Sequence, residues 1–534
     1  MADAVHSSTH DVVIVGGGHN ALVAAAYLGK AGRSVVVLER LDGVGGAAVS
    51  ERPWEGVDAR LSRYSYLVSL LPPRIIDDLG LSIELRRRRY SSYTPVPDDP
   101  ARGILIDNAD VGATVASFLR ATGDAVEAER YGSLTNRIGP VARRLFPTVL
   151  KPLARRADTR RLVGDDDLWA ALVDTPLGTL LRDSLETDLV RGIALTDGLI
   201  GTFASADDAS LRQNRCFLYH VIGGGTGDWD VPVGGMGRVS AELERAARNA
   251  GADIRTNAEV VSVSPDGVVE VDVRGSRQTL RGRLVLSGVG PAVLEGLLDA
   301  SGVDRFLPVS REQPEGAQIK VNMLLRRLPR LRDEHVSTEA AFAGTFHINE
   351  TMSQLDAAHT AALGGSIPHP LPAEIYCHSL TDPSILGPEL RASGAHTLTL
   401  FGLQVPHRII EGGDRDTARA ELLDAATRSL DSVLAEPISD LVYEAPDGTP
   451  CVEAKTTTDL EDALGMTGGD IFHGSLSWPW AADDEPLDTP AQRWGVATPH
   501  PAVLLCGSGA RRGGAVSGIA GHNAAMAALE LLAR

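Results

Sequence analysis

The sequence contains little cysteine and few aromatic residues, with 4 cysteines and 4% Phe, Trp and Tyr in 534 residues. The cysteines are far apart and form no C-x-x-C pair: Cys216, Cys377, Cys451 and Cys506. This spacing excludes a small disulfide-stabilised scaffold and a redox-active dithiol loop, and it predicts a reducing compartment. It also lacks the usual spacing of zinc ligands, so we expect no metal.

The sequence also lacks a net positive charge and an uninterrupted membrane-spanning run. With 51 Lys+Arg against 70 Asp+Glu, its formal net charge is -19, which argues against binding to nucleic acid. Residues 12–29 carry no charged side chain, but three consecutive glycines and the polar pair His19-Asn20 interrupt them. No basic segment or cleavage site typical of a signal peptide surrounds this run. We therefore expect a cytoplasmic protein.

An α/β pattern opens the chain. Residues 12–15 are four consecutive apolar residues that end at a glycine, as in a strand buried on both faces of a parallel sheet. Residues 21–28 are rich in alanine and leucine and predict a helix, which Gly32 ends. Residues 34–39 contain three consecutive valines and predict a second strand. Together these segments predict one β-α-β unit.

The turn between this strand and this helix carries a phosphate-binding pattern. Gly16, Gly18 and Ala21 fit G-x-G-x-x-G/A, with His19 and Asn20 at the two variable positions. In such a turn the first glycine allows the tight bend and the second lets the backbone approach a pyrophosphate. The small third residue allows close packing of helix on strand. The phosphates then face the N-terminus of the helix, whose free N–H groups and dipole favour an anion.

An acidic residue follows at the position that such a fold uses for ribose. Glu39 lies 23 residues after Gly16, at the end of the second strand, where its carboxylate can accept hydrogen bonds from an adenosine ribose. A charge-assisted bond of this type contributes ~1.5 to 3 kcal/mol. The same charge would repel the 2′-phosphate of NADP, although the neighbouring Arg40 weakens that exclusion. The pattern predicts a dinucleotide, FAD or NAD.

A second glycine pair favours a flavin dinucleotide. Gly45 and Gly46, followed by Ala47, can present backbone amides to the same pyrophosphate from the other side. With these motifs the sequence resembles the FAD-dependent amine oxidase and phytoene desaturase family, most closely its desaturase-like branch of pyridine-nucleotide-disulphide oxidoreductase-domain proteins. The resemblance extends to three glycine-rich segments, at residues 234–237, 468–474 and 507–518.

The resemblance implies further contacts with FAD. It places Val260 at the adenine side of the cofactor. It places the C-terminal glycine-rich loop along the pyrophosphate, the ribityl chain and the flavin ring. In that loop the implied contact residues are Gly507, Ser508, Val516 and Ser517.

The element pattern and the resemblance together indicate an α/β fold, in which a Rossmann-type FAD-binding domain is interleaved with an α+β substrate domain. Later segments predict a hairpin, strands of a second sheet and a final strand and helix, at residues 259–273, 318–325, 373–378, 397–404, 502–506 and 518–532. The predicted FAD-binding domain comprises residues 1–71, 231–300 and 495–534. The predicted substrate or cap domain comprises residues 72–230, which are largely arginine-rich and helical, and residues 301–494.

Four side chains are candidates for a role in the chemistry. His220 and His473 can act as acid or base, because imidazole titrates near neutral pH, or they can satisfy local hydrogen bonds only. Arg511 and Arg512 stand where relatives often carry His-Pro. A cation at that position can stabilise reduced, anionic flavin and raise its potential. Alternatively, the two arginines pair with carboxylates or solvent in a loop.

The resemblance implies a FAD-dependent oxidoreductase that transfers a hydride between the flavin and a small hydrophobic, isoprenoid- or carotenoid-like substrate. The reaction would be desaturation, saturation or isomerisation. The alternatives are a flavin-dependent amine oxidase and a non-catalytic lipid- or prenyl-binding protein on the same fold. The basic stretch 143–161 can form a cap helix with a solvated face, which is the favoured interpretation, or lie on an anionic membrane. The membrane interpretation uses the interleaved apolar residues Leu145, Phe146, Val149, Leu150 and Leu153.

Overall fold

The computed structural model describes residues 7–302 and 313–533. The predicted domain ranges also include residues 1–6, 303–312 and 534, which lie outside the described residues. The strands are β1 (Ser7–Val15), β2 (Val35–Leu38), β3 (Ser50–Glu51), β4 (Leu61–Ser62), β5 (Leu85–Arg86), β6 (Tyr90–Val96), β7 (Asp99–Asp107), β8 (Val231–Pro232), β9 (Asp253–Arg255), β10 (Ala258–Val263), β11 (Val268–Val273), β12 (Ser276–Ser287), β13 (Gln318–Leu325), β14 (Thr345–Ile348), β15 (Ala373–Tyr376), β16 (His396–Leu403), β17 (Val452–Lys455) and β18 (Val503–Leu505). The helices are α1 (His19–Lys30), α2 (Pro73–Leu79), α3 (Val111–Thr122), α4 (Glu127–Leu145), α5 (Arg156–Val163), α6 (Asp166–Trp169), α7 (Leu177–Ser184), α8 (Asp188–Leu195), α9 (Arg212–Ile222), α10 (Met236–Asn249), α11 (Pro291–Asp299), α12 (Thr338–Phe342), α13 (Met352–Leu363), α14 (His378–Thr381), α15 (Pro388–Ser393), α16 (His407–Glu411), α17 (Arg415–Val433), α18 (Thr457–Leu464), α19 (Pro490–Trp494) and α20 (Ile519–Leu532).

The first sheet is built around β1, which pairs in parallel with β2 on one side and with β12 on the other. The strand order is β10-β11-β12-β1-β2-β9, and β18 also pairs in parallel with β12. All four residues of β2 are buried, as expected for a strand covered on both faces. The predicted hairpin is confirmed, because β10 and β11 are antiparallel neighbours in the chain. The predicted β-α-β unit at the start of the chain is confirmed as well.

Helices α10 and α20 approach α1 closely because glycines lie at the contacts. A Cβ atom on Gly29 of α1 would lie 2.5 Å from the carbonyl oxygen of Ala250, which follows α10. A Cβ atom on Gly521 of α20 would lie 1.9 Å from the carbonyl oxygen of Asn20. The last helix of the described chain therefore packs directly on the first.

The second sheet has the strand order β17-β13-β16-β15-β14-β6-β7. Its pairs are antiparallel except for β14 with β6. Strand β13 matches the prediction residue for residue, and all eight of its residues are buried. Strand β15 ends two residues before its predicted end, because the chain turns into α14 at His378. This sheet has a hydrophobic core separate from that of α1 and its neighbours.

The basic stretch 143–161 is not a single helix, since α4 ends at Leu145 and α5 begins at Arg156. The five apolar residues that the membrane interpretation requires are all buried, with 8% or less of their surface exposed: Leu145, Phe146, Val149, Leu150 and Leu153. In the described structure these five side chains are therefore not available to contact a membrane. Among the described helices, none is both long enough and apolar enough to cross a bilayer.

A glycine in α8 provides a test of the packing between the helical segment and the second sheet. A Cβ atom on Gly192 would lie 1.7 Å from the carbonyl oxygen of Glu350, which follows β14. We expect Gly192→Ala to destabilise the fold by ~1 to 3 kcal/mol or more, because the main chain must move. The helical Gly132 of α4, whose Cβ would meet no described atom within 4 Å, is the matched control. Gly132→Ala should stabilise by ~0.5 to 1 kcal/mol, so equal melting temperatures for the two variants would contradict this packing.

Candidate functional site

One large cavity, of about 570 Å³, lies at the carboxyl ends of the parallel strands β1, β2 and β12. That edge is where ligands bind in open α/β sheets. Side chains of the second sheet line another side of this cavity, and α8 and α9 contribute further lining residues. The volume is within the usual range for a ligand site.

The glycine turn after β1 leaves bare backbone at the cavity wall. Gly16 has a φ of +85°, and its amide donates to the carbonyl of Leu38 over 2.8 Å. Gly18 precedes α1, and no described side chain caps that helix. A Cβ atom on Gly18 would meet no described atom within 4 Å, so the space beside it is open to a ligand. An uncapped helix N-terminus beside open space can bind a phosphate group.

Glu39 holds this turn in place. Its carboxylate is 8% exposed and accepts hydrogen bonds from the amides of Gly17 and Leu41, over 2.7 and 2.9 Å. Glu39 still lines the cavity, and each carboxylate oxygen retains a lone pair for a ribose hydroxyl. The Arg40 side chain donates to the carbonyl of Ala463 over 2.7 Å.

The second glycine pair packs against the first motif. The amide of Gly45 donates to the carbonyl of Gly17 over 2.9 Å. A Cβ atom on Gly46 would lie 3.3 Å from the Cα atom of Gly18. Gly46 and Ala47 line the cavity, whereas Gly45 lies behind them.

The C-terminal glycine-rich loop completes this end of the cavity. Gly507, Ser508 and Val516 line it, and Asn20 donates to the Ser508 hydroxyl over 3.5 Å. Ser517 does not line the cavity; its hydroxyl accepts from the amide of Ile519 at the start of α20. The structure therefore brings the two predicted motifs together from opposite ends of the sequence. Val260 of β10 lines the same cavity, and Ala21 lies buried in α1 beneath the turn.

Three residues that line the cavity around these loops each have one buried polar atom without a hydrogen-bond partner among the described residues. These atoms are Nε2 of His19, Oδ1 of Asn20 and Nδ1 of His473. Burial lowers the pKa of His19 and of His473 to about 4, so both imidazoles are neutral at pH 7. All three residues line the cavity, and a polar ligand would satisfy these atoms. The residues present therefore fit a bound dinucleotide.

Arg511 and Arg512 do not line the cavity. Arg511 donates to the carbonyl of Trp480 and to Glu485, over 2.9 and 3.0 Å. Arg512 is buried and donates to the main-chain carbonyls of Lys151 and Trp494, over 2.7 and 3.0 Å. The hypothesis that these cations face a flavin is wrong, and they instead tie the C-terminal loop to neighbouring segments.

His220 does line the cavity. Its Nδ1 lies 2.9 Å from the carbonyl oxygen of Cys216, and a carbonyl can only accept, so Nδ1 carries the hydrogen. Nε2 is then the basic nitrogen of the neutral ring. The ring stacks on Trp229 at a centroid distance of 5.0 Å. This candidate from the sequence is thus at the cavity wall, with its Nδ1 held on a main-chain carbonyl.

The second sheet adds ionisable residues that sequence reasoning missed. Lys320 of β13 donates to the carbonyls of Ser62 and Tyr64, over 2.7 and 2.8 Å, and burial holds its pKa well below the usual value. Its ammonium group lies 4.6 Å from the centre of the Tyr66 ring. Glu374 of β15 also lines the cavity, and burial raises its pKa to about 8. Glu374 is the only acidic residue in the predicted strand 373–378. An acid within an otherwise apolar strand was the signal that could have identified it as a functional residue.

A histidine and two glutamates cluster at this second wall. Donor atoms of His347, Glu350 and Glu374 lie within 4.8 Å of one another, a grouping that can hold a metal. Nδ1 of His347 lies 2.5 Å from Glu350 Oε2, and the Tyr376 hydroxyl donates to Glu374 Oε2. In the described geometry these are two separate hydrogen-bonded pairs that lie side by side.

Comparisons with known proteins agree with this architecture. Residues 14–73 match the family of NAD(P)-binding Rossmann-like domains. The chain is 54% identical to an uncharacterized protein of Mycobacterium tuberculosis, over 99% of this chain and 98% of the relative. It is 30% identical to pyridine nucleotide-disulfide oxidoreductase domain-containing protein 2 of Rattus norvegicus, over 97% of this chain and 92% of the relative.

A shorter match and a structural match add to these. A limonene dehydrogenase polypeptide of Castellaniella defragrans is 30% identical over 34% of this chain and 29% of its own length. The structure of cyclohexylamine oxidase from Brevibacterium oxydans superposes with a TM-score of 0.56 at 16% identity, over 98% of this chain and 100% of that one. That likeness shows the fold alone. The expected α/β fold with a Rossmann-type domain is confirmed.

The open space beside Gly18 gives a test of the dinucleotide site. We expect Gly18→Val to fold about as stably as the wild type, because its φ of −66° suits any residue and a Cβ atom there would meet no described atom within 4 Å. The isopropyl group would occupy the space that a pyrophosphate needs, so dinucleotide binding should fall by a factor of ~100 or more. Gly413→Val is the control for binding, because Gly413 has no positive φ, its Cβ would meet no described atom within 4 Å, and it does not line the cavity. Calorimetric titration together with thermal melting would measure both effects, and unchanged binding in Gly18→Val would contradict the assignment.

Proposed function

The chain belongs to the family of pyridine nucleotide-disulfide oxidoreductase domain-containing protein 2, and from that premise we propose a FAD-dependent oxidoreductase that transfers a hydride between the flavin and a hydrophobic substrate. One observation carries the proposal. A single cavity joins the glycine-lined dinucleotide site to a chamber walled by apolar and aromatic side chains. A cofactor held at the first part would present its reactive ring to a substrate in the second.

The glycine loops would hold FAD by its diphosphate. The uncapped start of α1 and the open space at Gly18 suit the phosphates, and Glu39 suits the adenosine ribose. Gly46 and Ser508 line the same space from two other segments. When bound, FAD supplies the two-electron hydride chemistry, which amino-acid side chains lack.

The chamber supports a substrate of the isoprenoid or carotenoid class. Its apolar walls come from the segment before α2, from α8, from β16 and from the C-terminal half of the chain: Leu67, Leu70, Ile193, Ile200, Phe401, Ile471 and Leu476. Such walls bind an extended hydrocarbon by removing its surface from water. The name of the partly matching limonene dehydrogenase refers to an isoprenoid. The reaction classes are desaturation, saturation and isomerisation.

The reaction also requires a group that exchanges a proton with the substrate. Forming a double bond requires loss of a hydride from one carbon and a proton from the next. The Nδ1–H of His220 is fixed on the Cys216 carbonyl, so Nε2 is the basic nitrogen of its neutral ring. His220 is thus one candidate for the proton exchange, beside the carboxyl groups that the second sheet contributes to the cavity.

Amine oxidation is the second candidate. Carboxyl groups of Asp197 and Glu374 line the chamber beside the aromatic rings of Tyr66 and Tyr376, and such a set can bind an ammonium group. The fold of an amine oxidase superposes on the whole chain. A non-catalytic lipid- or prenyl-binding role is less well supported, because the set of residues that would bind the dinucleotide is intact.

A spectrum followed by an anaerobic titration tests the proposal. The purified protein, with FAD added if necessary, should show flavin absorbance bands that bleach with a polyene such as lycopene or with all-trans-retinol. Bleaching by N-methylbenzylamine alone would favour amine oxidation. Protein that shows no flavin bands even after FAD is added would favour the binding role and contradict an oxidoreductase.

A further inference from the structure

A group of buried ionisable side chains forms the chamber wall contributed by the second sheet. We call Asp197, His347, Glu350 and Glu374 the acid cluster. Three strands or loops bring it together: Glu374 is on β15, His347 is on β14 with Glu350 just after it, and Asp197 follows α8. Asp197, His347 and Glu374 line the cavity, and Glu350 lies behind them.

The acid cluster must hold protons, because its carboxyl groups have too few cationic partners. Glu350 and Glu374 are 1% and 3% exposed, and no described Lys or Arg lies within salt-bridge distance of either. Oε1 of Glu350 has no hydrogen-bond partner among the described residues. Carboxylates this close and this buried cannot all be ionised at once. Some of the carboxyl groups are therefore neutral acids.

The nearest cations are occupied elsewhere. Arg88 donates to the carbonyl of Trp229 and to the Thr345 hydroxyl, over 3.2 and 3.1 Å. Lys320 donates to two main-chain carbonyls. Neither Arg88 nor Lys320 therefore neutralises Glu350 or Glu374 by an ion pair.

Glu374 is the member through which a proton can reach the cavity. The Tyr376 hydroxyl donates to its Oε2, which orients the carboxyl and leaves Oε1 to carry a hydrogen. Oε1 lies 3.9 Å from His347 Nδ1, and His347 is bonded to Glu350 over 2.5 Å. The 3.9 Å separation exceeds hydrogen-bond distance, so the Tyr376–Glu374 and His347–Glu350 bonds are two separate pairs in one buried cluster, and Oε1 of Glu374 is the carboxyl oxygen that is left to exchange a proton at the cavity.

We propose that Glu374 is the general acid of the chamber, whose Oε1–H bond breaks to protonate one substrate carbon while the neighbouring carbon receives the hydride. This role rests on the proposed function. In saturation, the hydride brings two electrons from the reduced cofactor, the double-bond pair forms the new C–H bond with the proton, and the O–H pair stays on Glu374. In desaturation the same atoms move in reverse, with Glu374 Oε1 accepting the proton.

The burial of Glu374 and the charges around it determine how the proposed activity should change with pH. Burial and the neighbouring Glu350 raise its pKa to about 8, so the carboxyl keeps its proton at pH 7 and loses it above about pH 8. The activity in the saturation direction should therefore fall as the pH rises through 8. The titratable and charged groups that interact with Glu374 from the elements packed around it are Tyr66, Arg88, Asp197, Cys216, His347, Glu350 and Tyr376.

Infrared spectroscopy can test this proton without substrate. The full-length protein should show a protonated-carboxyl band well below pH 8 that disappears well above it. Glu374→Gln should remove that band. Glu350→Gln should keep the Glu374 band but shift its loss to lower pH, because the neighbouring Glu350 helps to raise the pKa of Glu374. Persistence of the titrating band in Glu374→Gln, or its absence from the wild type, would overturn the proposal.

Kinetics test the catalytic role separately. With FAD loaded and lycopene or all-trans-retinol as the probe, we expect Glu374→Gln to slow anaerobic flavin bleaching about 100-fold or more. FAD content should be unchanged, and Glu374→Asp should restore part of the rate and its pH dependence. Glu350→Gln should slow bleaching less than Glu374→Gln does.

Three outcomes separate the proposals. An unchanged bleaching rate in a folded, FAD-loaded Glu374→Gln variant overturns the general acid. A stoichiometric metal found by elemental analysis, lost in both glutamine variants, overturns it in favour of a metal site at His347, Glu350 and Glu374. Failure of the wild type to bind FAD refutes the proposed function, whereas the infrared titration still decides whether Glu374 holds the proton.

Discussion

A buried carboxylate beside bare backbone amides is the constraint on which the dinucleotide end of the molecule depends. Glu39 accepts from two main-chain amides and thereby joins the end of β2 to the turn before α1. Its negative charge is satisfied locally, so the adjacent helix N-terminus keeps its positive potential for a ligand. The tight approach of Gly17, Gly45 and Gly46 follows from this arrangement, because a side chain at any of these positions would meet a neighbour.

The two sheets contribute different chemistry to one cavity. The first sheet supplies backbone donors and glycine contacts, which suit a phosphate-containing group and carry almost no titratable charge. The second sheet supplies Lys320, His347 and Glu374 from otherwise buried strands. Electron transfer and proton transfer would thus be handled by separate parts of the fold. The second wall is buried and has a low dielectric. The protonation state of each ionisable side chain there therefore depends on the charges of the neighbouring side chains.

The local sequence was enough to predict the glycine motif and acidic residue of the dinucleotide site. It was not enough to predict the ionisable side chains that the second sheet contributes to the cavity. Gly16, Gly18 and Glu39 belong to one short β-α-β unit, so their spacing alone fixes their arrangement. Glu374 and His347 meet only because β14 and β15 pair, although a helix and two loops separate these strands along the chain. No local pattern encodes that pairing. Arg512 was misjudged for another reason: its backbone has a φ of +66°. The direction in which its side chain leaves a glycine-rich loop depends on that conformation.

The packing of the final strand and helix has a consequence for how a cell assembles this protein. Strand β18 joins the first sheet beside β12, and α20 lies on α1 through the contact at Gly521. A chain still emerging from the ribosome has β1 and α1 long before either partner exists. The pocket wall formed by Ser508 and Val516 is then missing, so a dinucleotide would meet the complete cavity only after the C-terminal segment has been synthesised and has joined the first sheet.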